Sequence, residues 1–191
     1  GLVRTVVRRI IFSVLTSLAF GAISSLMHSA HAASSACPGN FFDGQAPALV
    51  NPKLSNKAQE LCYSEFSVMY SGQTRTPLYS ADHLTAQRIA EASHQRRAAA
   101  TESFHEEERV PGAERAFLSD YARSGFDRGH MSPNGDMDNP SAQGQSFTLA
   151  NMVPQNPDNN RHLWEGVETS TRGMASRYGE VWVVTVPVCA G

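Results

Sequence analysis

Positive charge is in short supply in this chain. Its 191 residues include 16 lysines and arginines against 18 aspartates and glutamates, a formal net charge of −2 at pH 7. Residues 1–32 contain three arginines and no acidic residue, so the chain from residue 33 onward carries a formal charge of −5. Proteins that hold polyanions by broad electrostatic attraction present a basic surface. The composition argues against such a surface, and a polyanionic ligand would have to be held by a local basic patch or a metal ion.

Cysteine is also scarce, with three examples at Cys37, Cys62 and Cys189. None lies between residues 126 and 188, which excludes a zinc site built on sulfur ligands in that part of the chain. In an oxidising compartment, Cys37 and Cys62 could form a disulfide that ties down the N-terminal segment and leaves Cys189 unpaired. Connectivity does not follow from sequence, so this pairing is an expectation.

The first 32 residues differ in composition from all that follow. Arg4, Arg8 and Arg9 precede an apolar stretch that runs from residue 10 to about residue 26, and the segment closes on the small-residue site Ala30-His31-Ala32. This three-part pattern is typical of a cleavable signal peptide. A membrane anchor is the alternative, but small and polar residues interrupt the apolar stretch. We therefore predict export, to the periplasm or the medium, with no membrane association after cleavage.

The remaining length suits one domain, and the sequence contains no internal repeat or low-complexity tract. Residues 33–60, rich in small and polar residues, are predicted to form an N-terminal arm, and residues 61–191 a single folded domain. The run 180–188 has strong β propensity and would ordinarily pair with further strands. The domain is therefore expected to be incomplete at its C-terminal end.

Hydrophobic periodicity predicts an α+β fold. Up to residue 125 the predicted elements are, in order, a strand at 65–71, a strand at 76–84 paired with it as a hairpin, a helix at 85–100 and a short helix at 112–125. Beyond it they are a strand at 126–133, a polar loop at 134–145, a strand at 146–155, a helix at 156–179 and a central strand at 180–188. The arginines of the first helix, Arg88, Arg96 and Arg97, are expected to form a solvated face.

Polar side chains with chemical roles fall on consecutive predicted elements. His130 lies on one strand and Asn151 on the next, and Asn160, Glu168 and Arg172 follow on the helix. At about 100° per residue, positions 160 and 168 lie about 80° apart around the helix axis, and positions 168 and 172 about 40° apart. One side of the helix can therefore present an amide oxygen, a carboxylate and a guanidinium.

These residue types meet the needs of phosphodiester hydrolysis. Amide and carboxylate oxygens, together with water, suit a hard cation such as Mg²⁺. A neutral histidine such as His130 can take a proton from water near pH 7. The guanidinium of Arg128 or Arg172 matches two phosphate oxygens, and one cation can polarise the phosphoryl group and stabilise the leaving oxygen.

Two motifs, DRGHM at 127–131 and LANMVPQNPDNNRHLWEGVE at 149–168, resemble those of the DNA/RNA non-specific endonucleases of the ββα-metal superfamily. The resemblance extends over most of residues 60–187. It implies a mostly antiparallel central sheet and a helix that bears the metal ligand. It also implies cleavage of DNA and RNA, single or double stranded, with little sequence preference.

The same resemblance implies roles for individual residues. His130 would be the general base that activates water. Asn160 would be the sole direct protein ligand of a Mg²⁺ ion, with Mn²⁺ able to take its place. Glu168 would hold metal-bound water, and Asn151 would orient the site.

The resemblance also implies contacts to the phosphate. Arg128 and Arg172 would contact it, the latter beside the leaving group. The family uses a further upstream arginine, for which Arg109 is a candidate. Asp127 is interpreted as structural.

Three other residues receive a structural interpretation. Asp136 and Asp138 are interpreted as polar loop residues and not as metal ligands, and Trp164 as a core residue.

The main alternative for the whole chain is a catalytically inactive relative that binds nucleic acid or a partner protein. A second alternative keeps the catalytic site but hydrolyses a different phosphodiester. The preference between DNA and RNA and the oligomeric state stay open.

Overall fold

This computed structural model describes residues 33–95 and 104–188, and it contains a four-stranded sheet and a two-stranded ribbon. All strand pairs in the sheet and in the ribbon are antiparallel. The four strands, in sheet order, are β1 (Ala58–Cys62), β2 (Phe66–Ser71), β3 (Thr76–Thr85) and β6 (Glu180–Thr185). The ribbon pairs β4 (Asp127–His130) with β5 (Met152–Gln155).

Short helices connect the strands, and one longer helix follows the ribbon. The α-helices are α1 (Pro52–Ser55), α2 (Ala86–Ser93), α3 (Leu118–Tyr121), α4 (Pro140–Ser146) and α5 (Glu165–Tyr178). A π-helical turn, Asn159–Trp164, leads directly into α5. Single 3₁₀ turns lie at Pro38–Asn40, Phe42–Gly44, Gly112–Glu114, Asn134–Asp136 and Leu149–Asn151.

Several predicted elements are confirmed. The hairpin is present as β2 and β3, the first strand after residue 125 as β4, and the helix at 156–179 as the π-helical turn and α5. The side-chain alternation of β2 explains the hairpin. Phe66, Val68 and Tyr70 are buried on one face, while Met69 faces the opposite side with Tyr79 and Ala81 of β3.

Other predicted elements are wrong in part. The short helix expected at 112–125 is reduced to a 3₁₀ turn and α3, and the backbone leaves helical geometry where Arg123 and Gly125 take positive φ angles of 57° and 82°. The expected polar loop contains α4, which Asn139 caps by accepting a hydrogen bond from the Ala142 N–H at 2.9 Å. The strand expected at 146–155 is confined to β5, after the end of α4 and a 3₁₀ turn.

The strand at the C-terminal end of the sheet was expected to be central. Among the described residues β6 pairs with β3 alone and therefore lies at the edge of the sheet. Residues 1–32, with the expected signal peptide, lie outside the described residues, as do Arg96, Arg97 and Cys189. In the part of the chain that is described, no helix is long and apolar enough to span a bilayer.

Both faces of the four-stranded sheet are covered. On one face Phe66, Val68 and Tyr70 pack with Val110 and Met137. On the other face, Phe41 and Ala46 of the N-terminal segment pack against β3. The expected disulfide is present between Cys37 and Cys62, with a Cα–Cα distance of 5.9 Å, and it ties that segment to the end of β1.

Arg88 of α2 is buried, with 8% of its surface exposed, so the expected solvated face is wrong at this residue. Its guanidinium donates to the carbonyl oxygens of Asp136 (2.8 Å), His83 (2.8 Å) and Glu65 (3.0 Å). It also lies 3.3 Å from the carboxylate of Glu65. Burial of a charge at this position is tolerated because the ion pair and hydrogen bonds compensate it.

Removal of this buried charge should destabilise the fold. We expect Arg88→Ala to lower the free energy of unfolding by about 3–5 kcal/mol, since it removes the cation paired with Glu65 and the donor to three carbonyl groups. Gln87→Ala, at the exposed neighbouring position on α2, is the matched control and should change stability by less than about 0.5 kcal/mol. Urea unfolding measures both, and an equal loss in the two variants would contradict this role.

Candidate active site

The β4–β5 ribbon places Asp127 opposite Gln155 and His130 opposite Met152. Gly129, between them on β4, permits close approach of the Gln155 side chain. A Cβ added at Gly129 would overlap Oε1 of Gln155 and lie 2.8 Å from its Cβ. The glycine of the DRGH sequence therefore meets a spatial requirement of the ribbon.

His130 lies at the end of β4 in an aromatic environment. Its ring centroid is 5.1 Å from that of Phe147 and 5.9 Å from that of Phe104. The side chain as a whole is half-buried, but Nε2 is shielded from solvent and has no hydrogen-bond partner among the described residues. Burial lowers the pKa of His130 to about 4. The imidazole is therefore neutral near pH 7 and able to accept a proton.

Arg128, two residues before His130, is held by aromatic rings. Its guanidinium carbon is 4.8 Å from the centroid of Phe104 and 5.7 Å from that of Tyr121. Its Nε is buried and has no hydrogen-bond partner within the described ranges. Cation–π contacts fix the position of a guanidinium without consuming its N–H donors. Arg128 also helps to line an open pocket of about 230 Å³, from which an anion can reach its guanidinium group.

Asp127 joins β4 to the start of the long helix. Its carboxylate accepts hydrogen bonds from Nδ2 of Asn160 (3.0 Å) and from two guanidinium nitrogens of Arg161 (2.9 and 2.8 Å). The hydrogen bonds from Arg161 lower the pKa of Asp127. Because a carboxylate only accepts, the amide nitrogen of Asn160 must face it, and Oδ1 lies on the other side of the amide. Asp127 thus orients the predicted metal ligand.

Asn151 was expected on the second strand and lies in the 3₁₀ turn just before β5. Its side chain is buried and fully engaged. Oδ1 accepts from the N–H of Ser132 (2.9 Å), and Nδ2 donates to the carbonyl oxygens of Ser132 (2.8 Å) and Ser146 (3.0 Å). Asn151 therefore links the chain after His130 to the end of α4, which suits a positioning residue.

The helix docks beside β4 through Trp164, whose indole N–H donates to the carbonyl oxygen of His130 at 3.3 Å. This tryptophan is half-buried and belongs to none of the hydrophobic clusters among the described residues, so it is not the core residue that was expected. Together with the hydrogen bond from Asn160 to Asp127, it brings the helix that carries Glu168, itself half-buried, alongside the strand that carries His130.

Arg172, one turn after Glu168, is engaged by Asp136. Its NH1 donates to Asp136 Oδ1 at 2.9 Å and its NH2 to Thr169 Oγ1 at 3.1 Å. The interpretation of Asp136 as a simple polar loop residue is wrong, because it is 3% exposed and forms an ion pair.

Arg109, the candidate upstream arginine, lies in a separate cluster. Its Nε and NH2 donate to the Glu107 carboxylate (2.8 and 2.9 Å), its NH1 donates to the carbonyl oxygen of Cys62 (2.9 Å), and it stacks over Tyr63 at 4.5 Å. These contacts suit a structural role.

The rings around Arg128 and His130 were not anticipated from the sequence. Phe104, Tyr121 and Phe147 come from segments outside both quoted motifs, and no local pattern distinguishes them from other core aromatics. The prediction of a helix at 112–125 placed Tyr121 on that helix but did not indicate that its ring contacts Arg128.

The donor atoms suit a cation that keeps most of its water. Across residues 33–95 and 104–188, the only three His, Cys, Asp or Glu side chains close enough to share an ion are Cys37, Glu60 and Cys62, and these cysteines form the disulfide. A cage of several carboxylates is therefore absent from this part of the chain. The amide oxygen of Asn160, with its nitrogen held by Asp127, fits a hard, largely hydrated cation.

Comparison with known proteins identifies relatives among nucleases. The chain is 33% identical over 132 residues to the mitochondrial nuclease EXOG of Danio rerio, covering 69% of this chain and 37% of that protein. It is 33% identical over 153 residues to the mitochondrial nuclease of Saccharomyces cerevisiae, covering 79% and 44%. It is 35% identical over 130 residues to nuclease C1 of Cunninghamella echinulata var. echinulata, covering 64% and 49%. The chain thus spans less than half the length of these relatives.

A solved structure shares the fold. EndoG, in a crystal structure of the EndoG/EndoGI complex, superposes with a TM-score of 0.62 at 30% identity, over 67% of this chain and 52% of that one. The predicted α+β, ββα-metal fold is therefore confirmed. Residues 45–191 match the family described as DNA/RNA non-specific endonuclease. This match and the identities to nucleases confirm the resemblance of the two motifs, and the chain belongs to the DNA/RNA non-specific endonuclease family.

Proposed function

We propose that this chain carries the catalytic site of a metal-dependent endonuclease that hydrolyses phosphodiester bonds of DNA and RNA with little sequence preference. The observation that carries the proposal is the geometry of β4. Within three residues it presents the guanidinium of Arg128, which lines an open pocket, and the neutral imidazole of His130. A phosphate clamp and a base at one point are what hydrolysis of a phosphodiester needs.

His130 acts as the general base. Its imidazole takes a proton from the attacking water as the water oxygen bonds to phosphorus, and the bond from phosphorus to the leaving oxygen breaks. The rings of Phe104 and Phe147 keep the imidazole shielded, so it stays neutral and available before the reaction. Asn151 holds the chain beyond His130 in place through Ser132.

Asn160 and Glu168 form the proposed cation site. A Mg²⁺ ion on Oδ1 of Asn160, with Mn²⁺ able to replace it, would supply positive charge for the phosphoryl and leaving oxygens. Asp127 sets the orientation of the amide that binds it. Glu168 would accept hydrogen bonds from water bound to that ion and so fix the orientation of the water.

Arg128 and Arg172 bind the phosphate. Arg128 is positioned by its aromatic contacts and keeps its donors. Arg172 uses one nitrogen on Asp136 and one on Thr169, which leaves part of its five-donor guanidinium for the substrate. The ion pair with Asp136 holds the guanidinium in place.

Export is part of the proposal. The composition of residues 1–32 supports a cleavable leader. The disulfide between Cys37 and Cys62 also supports it, because such bonds persist in oxidising compartments. The names of two relatives place those proteins in mitochondria, and this location is not part of the proposal for this chain.

Replacement of the base tests the activity directly. With Mg²⁺ present, we expect the chain to degrade plasmid DNA and RNA, EDTA to stop it, and His130→Ala to lower the rate by about 10²–10⁴-fold. His162→Ala, at an exposed histidine of the same site region, is the control and should retain activity. Thermal melting checks that both variants fold. A folded chain that binds but never cleaves nucleic acid would instead indicate the inactive relative.

The pH dependence of cleavage should reflect the low pKa of His130. The base is active when unprotonated, so a pKa near 4 keeps it active at pH values where an ordinary histidine, with a pKa of about 6.5, is mostly protonated. We expect the acidic limb of kcat/KM to lie well below pH 6. A profile from pH 4 to 8 measures it, and a limb at pH 6.5 or above would show that the imidazole is not desolvated as described.

Asp127 should affect cation affinity more than chemistry. Asp127→Asn keeps the shape of the side chain but weakens the acceptor for Asn160 and Arg161. We expect the Mg²⁺ concentration for half-maximal activity to rise about 10–100-fold, with most of kcat recovered at saturation. Asp158→Asn, on the exposed start of the same helix, is the matched control. An unchanged Mg²⁺ requirement in Asp127→Asn would contradict the orienting role.

A further inference from the structure

Phe126, immediately before β4, is an exposed aromatic residue between two pockets. Its side chain is 53% exposed. The first pocket, about 230 Å³, is lined by Phe126 with Phe104, Tyr121, Asp127 and Arg128. The second pocket, about 360 Å³, shares Phe126 and Tyr121 and continues toward Arg75 and Pro154. A phenyl ring in this position contributes to the walls of two open cavities and little to the core.

Each pocket that Phe126 lines contains a guanidinium group, although the chain as a whole is acidic. Arg128 lines the first pocket together with Asp127, and Arg75 lines the second together with Asp120. The carboxylate of Asp127 is neutralised by its contacts with Arg161. An exposed ring flanked by guanidinium groups is the arrangement with which proteins bind single-stranded nucleic acid, where bases stack on rings and cations follow the backbone.

The size of the first pocket limits what it can hold. Pockets for drug-sized ligands measure about 300–1,000 Å³, so a cavity somewhat below this range suits one planar ring system. Phe126 and Arg128 line this pocket together with Asp127, which lies between them in the sequence. A nucleotide whose phosphate contacts Arg128 would therefore have its base within reach of Phe126.

We propose that Phe126 is a base-stacking residue, and that the base next to the phosphate on Arg128 lies against its ring in the pocket formed with Phe104 and Tyr121. This inference rests on the proposed function of the site. The stacking role predicts that the chain prefers single-stranded nucleic acid, because a base in a duplex must first leave its stack. Phe126 thus discriminates single-stranded from double-stranded substrate.

Binding measured without cleavage tests the assignment. The full chain is titrated in EDTA against a short single-stranded oligonucleotide carrying 2-aminopurine and against a duplex of the same sequence. We expect Phe126→Ala to weaken single-strand binding about 5–100-fold and to abolish the change in 2-aminopurine fluorescence. Duplex binding should change less than about twofold. Phe126→Trp should retain both single-strand affinity and the fluorescence change, and Phe42→Ala, at a phenylalanine 70% exposed elsewhere, is the control.

The outcomes separate this inference from the proposed function. Equal single-strand binding by Phe126→Ala and the unaltered chain, or no binding by either, overturns the stacking role. If the unaltered chain then still cleaves with Mg²⁺, the catalytic proposal stands without it. If binding depends on Phe126 but no cleavage occurs with Mg²⁺, the stacking role stands and the catalytic proposal fails.

Discussion

The buried guanidinium of Arg88 fixes the position of the sheet relative to the elements that carry the candidate site. It bonds to carbonyl groups on β3, on the chain before β2 and on the 3₁₀ turn at Asn134–Asp136. That turn ends at Asp136, whose carboxylate accepts from Arg172 of α5. Two arginines therefore hold Asp136, one through its backbone carbonyl group and one through its carboxylate. Because an unpaired buried charge is costly, the ion pair between Arg172 and Asp136 binds the long helix to this turn.

This interaction also marks the limit of prediction from sequence. The hairpin and β4 follow from local alternation, and the long helix from its caps and spacing, so these elements were predictable. A one-dimensional pattern counts Arg88 as polar and assigns it to solvent, since the carbonyl groups that satisfy it lie on distant segments. The helix α4 was missed for a different reason. Its composition is polar, although Asn139 and Pro140 provide an ordinary helix start.

For the candidate site, the motifs predicted which residues take part better than they predicted the contacts that those residues make. The placement of His130 on a strand and Asn160 on the following helix could be anticipated. The aromatic rings that shield His130 and hold Arg128 could not, because Phe104, Tyr121 and Phe147 lie on three separate segments that meet only in the folded chain. The desolvation that keeps the imidazole neutral is a property of that packing.

The π-helical turn at Asn159–Trp164 determines how this segment responds to the loss of a residue. A π-helical turn contains more residues than an α-helical one, and loss of a single residue here would restore ordinary winding. Side chains beyond such a deletion would keep nearly their present direction, because the wider turn already accommodates the extra residue. A deletion in the regular helix between Trp164 and Glu168 has no such compensation, and it would rotate Glu168 and Arg172 by about 100° about the helix axis. The π-helical turn is therefore the part of this helix that best accommodates the loss of one residue.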